Sequence, residues 1–173
     1  MAKYIEKNLD GDGIDRRGFL KCMAWAGTGT LCLVQGGVLK SYALADVLQH
    51  KVGHLKGDLS FVQISDSHIG FNKAANPDVT ATLREAIAKV NALATPPAFV
   101  LHTGDLTQLS KPEEFDTLAE SLKSLRTDRI FYVPGEHDVL NDNGEAFHER
   151  FGAGTHGDGW YSFDQKGCIS SAS

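Results

Sequence analysis

Leu59-Ser60-Phe61-Val62-Gln63-Ile64-Ser65-Asp66-Ser67-His68-Ile69-Gly70 is the stretch that decides how this chain is read. Its first half is apolar and β-branched, the composition of a strand buried on both faces. It then breaks into Asp66-Ser67-His68, with Gly70 just beyond. A carboxylate and an imidazole two residues apart, past the carboxyl end of a strand, are placed to converge on one metal ion. Taken alone, the same residues read more readily as a turn with a capping Asp and an exposed His.

The pattern recurs twice. The apolar run from Phe99 to His102 ends in Thr103-Gly104-Asp105, and the run from Ile130 to Val133 ends in Pro134-Gly135-Glu136-His137-Asp138. Strand ends about 30–40 residues apart have the spacing of βαβ units. Between the first two, Asn76-Pro77 predicts a helix cap and a proline at the first helical position. Val79, Leu83, Ile87 and Val90 form the apolar stripe that follows. Ser110-Lys111-Pro112-Glu113 predicts a capping box ahead of a second stripe, Phe115, Leu118, Leu122 and Leu125. A short helix is expected between Asn141 and Phe151, closed by Gly152, and a strand at Trp160-Tyr161-Ser162-Phe163. The order is β-α-β-α-β-α-β, an α/β chain.

Asp66-x-His68, Gly104-Asp105 and Gly135-Glu136-His137-Asp138, in that order, resemble the calcineurin-like metallophosphoesterases. The resemblance covers about Leu59 to Asp164. It implies the family's αββα sandwich, with only the first β-α-β-α-β half present here. It also implies hydrolysis of phosphate monoesters or diesters with two divalent or trivalent ions, manganese, iron or zinc. On that resemblance Asp66 and His68 would bind the first ion, Asp105 would bridge both, and Glu136 would bind the second. His137 would stand near the leaving group as proton donor or charge stabiliser, oriented by Asp138. Glu136 departs from the family's usual Asn, adding a charge and a methylene. The family's two later histidine motifs do not occur in this chain. A catalytically impaired remnant, or a module that only binds metal or phosphate, is therefore the alternative expectation. A flavodoxin-like or Rossmann reading would want Gly-x-Gly-x-x-Gly after the first strand, which is absent.

The chain ahead of Leu59 is of a different kind. Asp15-Arg16-Arg17-Gly18-Phe19-Leu20-Lys21 precedes an uncharged stretch from Cys22 to Leu39, and Ala43-Leu44-Ala45 offers a small-residue cleavage site. This resembles a twin-arginine export signal over residues 1–45, which implies the twin-arginine machinery as a partner and a periplasmic or secreted location. Its glycines and threonines make it a poor spanning helix, so no stable membrane span is expected. Such signals carry folded proteins, which would allow metal loading before export. Asp10-Gly-Asp12-Gly hints at a calcium loop, but Lys21 stands where the closing Glu is needed. Removal of 1–45 would leave Cys168 as the lone cysteine, so no intramolecular disulfide forms and metal ligands must be oxygen and nitrogen.

Residues 46–58 read as a solvated linker, although His50 and His54 have the spacing of a helical metal site. Residues 59–165 are the partial phosphoesterase domain. Residues 166–173, small and polar without a period, read as a disordered tail left by truncation or a frame change. His102 is expected as an imidazole in the core or behind a ligand rather than a ligand itself, His148 and His156 as surface residues. The formal charge of −5, from 17 basic and 22 acidic residues, argues against nucleic-acid binding driven by bulk charge.

Overall fold

A computed structural model of the protein describes residues 29–35, 38–49, 59–156, 161–165 and 168–172. Arg16-Arg17 and the His50/His54 pair lie outside the described residues. The centre is a five-stranded sheet of order β2-β1-β3-β4-β5. Its strands are β1 (Thr30–Gln35), β2 (Val38–Ala43), β3 (Leu59–Ser65), β4 (Val100–Gly104) and β5 (Ile130–Pro134). The helices are α1 (Leu44–Gln49), α2 (Val79–Asn91), α3 (Pro112–Leu122) and α4 (Glu145–Phe151), with a 3-10 turn at Glu136–Val139. β6 (Tyr161–Gln165) and β7 (Cys168–Ala172) pair antiparallel as a separate two-stranded sheet.

The three strands read from the sequence are neighbours and parallel, with Val62 opposite Val100 and Val100 opposite Ile130. Parallel strands need crossover helices, and α2 and α3 are those crossovers. Both expected stripes are buried: Val79, Leu83, Ile87 and Val90 on α2, and Phe115, Leu118, Leu122 and Leu125 on and after α3. They share one core with Val62, Ile64 and Val100 of the sheet. Side chains alternate along a strand, so Phe61, Gln63, Leu101, Phe131 and Val133 occupy the opposite face. All five are only half-buried. Phe99 stacks on Phe61 at 4.8 Å and meets Phe131 edge-on at 5.6 Å. The fold is a mixed α/β sheet with its helices on the core side, a partial phosphoesterase architecture.

Helix starts differ from expectation by a residue or two. The cap of α2 is Asp78, whose Oδ1 accepts from Ala81 N at 2.8 Å, while Asn76 Oδ1 accepts from the Thr82 hydroxyl. Pro112 is the first residue of α3, and Glu114 closes its start, its Oε2 accepting from Leu109 N at 2.8 Å. Ser110 is drawn off to another task, described below.

Three larger departures lie outside the parallel strands. Residues 30–35 and 38–43, expected as part of a leader, form β1 and β2, with Leu31 opposite Val62 and Leu31, Cys32 and Leu33 buried. The apolar and β-branched residues that make this stretch a poor helix are good strand formers when a neighbour offers a ladder. Residues 46–49 complete α1, so the expected linker is not wholly linker. Residues 168–172, expected as a structureless tail, pair antiparallel with Tyr161–Gln165, which satisfies backbone groups that the composition alone left unassigned. Among the described residues no helix is long and apolar enough to cross a membrane.

Candidate metal centre

The carboxyl ends of β3, β4 and β5 meet at one rim of the sheet. The turn after β3 is laced to the turn after β4 by Asp66 N to Thr103 O (3.1 Å), His68 N to Asp105 O (3.0 Å) and Ile69 N to Leu106 O (2.9 Å). The lacing holds Asp66 and His68 at φ 55° and 43°, in the left-handed region. For residues with a Cβ this costs about 1 kcal/mol or more each, and such strain collects at functional sites. Two glycines supply room. A Cβ on Gly104 would collide with the Asp66 carboxylate, and one on Gly135 with the Asp105 carboxylate. The spellings Gly104-Asp105 and Gly135-Glu136-His137 are thus spatial requirements of the carboxylates beside them.

His68, Asp105 and His137 form the cluster, each offering a ligand atom within 4.8 Å of the others. His68 Nε2 lies 3.6 Å from Asp105 Oδ2, and the two imidazoles meet edge-on at 5.2 Å between centroids. Asp105 is steadied by its Oδ1, which accepts from His137 N at 3.0 Å. Of the four residues expected as ligands, the structure brings His68 and Asp105 together. Asp66 is adjacent but turned to the backbone, accepting from Asp105 N at 3.4 Å and from the Ser65 hydroxyl. Glu136 is exposed at the start of the 3-10 turn and stands outside the group. His137, expected beside the leaving group, stands in the group that could hold a metal.

Asp138 has a different place from the one expected. It is fully buried, and its carboxylate accepts from Leu106 N (3.0 Å), Thr107 N (2.8 Å), Thr107 Oγ1 (2.7 Å) and Gly135 N (2.9 Å). The Ser110 hydroxyl donates to its backbone carbonyl. Burial raises its pKa, and those hydrogen bonds pull the other way. Asp138 therefore locks the turns after β4 and β5 together, and positions His137 through the backbone.

The imidazoles are oriented instead by Gln108, which sequence reasoning missed. His68 Nδ1 lies 3.2 Å from Gln108 Oε1, and His137 Nδ1 lies 2.6 Å from the Gln108 carbonyl. Amide oxygens only accept, so both rings carry their proton on Nδ1 and turn Nε2 to the centre. A ligating histidine wants an acceptor behind it. A polar side chain three residues past Asp105 was the available hint. Burial pushes the His68 pKa down, with the Asp105 charge partly opposing it, which favours the neutral imidazole. Two imidazole nitrogens and one carboxylate, with a position left for water, suit a divalent transition ion. The residues present fit a metal. His102 is buried in β4 apart from this group, and His148 and His156 are exposed, as expected.

A family model described as "Calcineurin-like phosphoesterase" matches residues 59–171. A protein of Arcobacter nitrofigilis named "Probable glycerophosphodiester phosphodiesterase GpdQ" is 36% identical over 95 residues, covering 51% of this chain and 33% of that protein. The chain thus spans about a third of the length of the curated relative it matches. No solved structure matches.

Proposed function

The chain belongs to the calcineurin-like phosphoesterase family, and on that premise we propose that it serves metal-dependent hydrolysis of phosphate esters, with phosphodiesters as its substrate class. The observation that carries this is the convergence of His68, Asp105 and His137 within 4.8 Å at the strand ends. The diester preference is supported by the name of the matched relative.

His68 and His137 would hold a divalent ion through Nε2 and Asp105 through Oδ2. The two-ion arrangement implied by resemblance would draw on Asp66 and Glu136 as well. A bound ion supplies Lewis-acid polarisation of the phosphoryl group and a nucleophile at neutral pH. The chain's own part is orientation. With Nδ1 committed to Gln108, His137 presents Nε2, which ligates when bare and donates a proton when protonated. The strained turn and the buried Asp138 hold these atoms before any substrate arrives, so little reorganisation is left for the reaction.

The test is hydrolysis of a nitrophenyl phosphodiester by the manganese- or zinc-loaded chain. Turnover should need the metal and vanish in Asp105→Ala. Turnover indifferent to a chelator and to that substitution would overturn the reading.

The proposal extends to location. The Arg16-Arg17 stretch supports export by the twin-arginine route to the periplasm or beyond, and Arg16→Lys with Arg17→Lys should retain the protein in the cytoplasm. Cleavage after Ala45 would withdraw β1 and β2 and leave β3 as a terminal strand.

A further inference from the structure

His102 is an ionisable side chain that the proposed chemistry does not use. It sits in β4 between Ile64 and Tyr132 of the neighbouring strands, with no exposure to solvent. Its Nε2 lies 3.2 Å from the Ser67 hydroxyl, itself buried, and that hydroxyl lies 3.0 Å from the Leu106 carbonyl. Its Nδ1 has no hydrogen-bond partner among the described residues.

These contacts fix a direction. Ser67 has one hydroxyl proton, and the Leu106 carbonyl only accepts, so that proton goes to Leu106. His102 must then donate from Nε2 to Ser67 Oγ, which leaves Nδ1 as a bare lone pair. The other tautomer would bury an unpaired N–H and ask one serine proton to serve two acceptors, at greater cost. The chain of donation runs from His102 to Ser67 to Leu106.

Ser67 is the middle residue of the turn whose neighbours, Asp66 and His68, both sit at positive φ. Such a turn relaxes unless its surroundings over-determine it. We propose that His102 is a positioning residue: through Ser67 it pins the Asp66-Ser67-His68 turn in the strained form that aims His68 at the centre. The proposal rests on the reading of His68 as a metal ligand. It explains why an imidazole stands in an apolar layer with one nitrogen unused, since the site needs one donor at that reach and nothing more.

The test uses the full chain. In metal-free protein, amide exchange at His68 and Ile69, whose N–H groups go to Asp105 O and Leu106 O, is read against the amides of α2. Ser67→Ala and His102→Phe should each speed the two turn amides about tenfold or more and leave α2 within about twofold. The double variant should add little to either single one. His102→Gln, whose side-chain amide reaches Ser67 from nearly the Nε2 position, should restore slow exchange. Manganese affinity, titrated directly, should weaken about 10–100-fold in Ser67→Ala and recover in His102→Gln relative to His102→Phe. Unchanged exchange at His68 and Ile69 in Ser67→Ala, or equal acceleration of turn and α2, would overturn the proposal. Ser67→Ala removes a single oxygen and carries the test if His102→Phe does not fold. Absence of manganese binding by the unaltered chain, with the exchange pattern as expected, would defeat the metal reading and leave the positioning role standing.

Discussion

The turns after β3 and β5 each deliver one histidine to the same cluster, and they do it by different physics. After β3, the backbone itself is bent: Asp66 and His68 lie at positive φ, laced to β4 and pinned beneath by Ser67. After β5, the backbone makes an ordinary 3-10 turn, and a buried carboxylate, Asp138, gathers donors around itself from its own turn and from the turn after β4. The first turn stores strain, and the second stores unsatisfied hydrogen bonds that appear only if the carboxylate is removed. Both end on Gln108, one on its side chain and one on its carbonyl.

The contrast breaks most visibly at Asp138. Asp138→Ala strands buried donors on Leu106, Thr107 and Gly135, and should cost about 3–5 kcal/mol in urea unfolding. Ser67→Ala, which removes the bonds to His102 and Leu106 and relieves strain in the turn, should cost about 1–2 kcal/mol. Equal losses would erase the distinction.

Next in size is a pH effect on the β3 side. Burial lowers the His102 pKa from 6.5 to about 4. The unfolded chain then binds more protons between those values, so this group's contribution is present above pH 6.5 and is lost as the pH falls through about 4. The limit is about 3 kcal/mol at 1.36 kcal/mol per unit. His102→Phe should flatten the stability profile over that window relative to the unaltered chain. Parallel profiles for the two would count against a buried neutral imidazole.

Gln108 sharpens the comparison further, because substitution touches only one of its two bonds. Gln108→Leu removes the acceptor behind His68 and keeps the carbonyl behind His137. Manganese affinity should fall about 10–100-fold, and Gln108→Glu, which retains an acceptor, should recover much of it. A loss no greater than twofold in Gln108→Leu would show that His68 needs no such support. The smallest effect belongs to α2, the crossover from β3 to β4, which bears no residue of the cluster. Asp78→Ala removes the α2 cap, should cost about 1 kcal/mol, and should leave manganese affinity unchanged.

The parallel core was legible because each of its signals is local. The runs ending at Ser65, His102 and Val133 announce strands, and the stripes on α2 and α3 announce the faces that bury them. His68 and Asp105 were legible for the same reason, as polar breaks at strand ends. What escaped depends on contacts between distant residues. Ser110 looks like a cap beside Pro112, yet its hydroxyl goes to Asp138, 28 positions along the chain. Asp138 looks like a partner for the histidine next to it, but its donors come from Leu106 and Thr107 in the turn after β4 and from Gly135. Gln108 carries no spacing signal, and its role exists only once His68 and His137 stand on either side of it. Residues 30–35 read as part of a leader by composition and as a strand only once β3 offers a ladder.

Gly104 and Gly135 bring no atom to the cluster, and that is their consequence for anyone mapping it by loss of function. Alanine at either position puts a methyl group into space that the Asp66 or Asp105 carboxylate already fills, and at Gly135 also 2.6 Å from Asp105 N. A saturation screen would score these two glycines with the strongest positions of the protein. An observer ranking residues by sensitivity alone would count two reactive groups too many, since what the glycines contribute is vacancy.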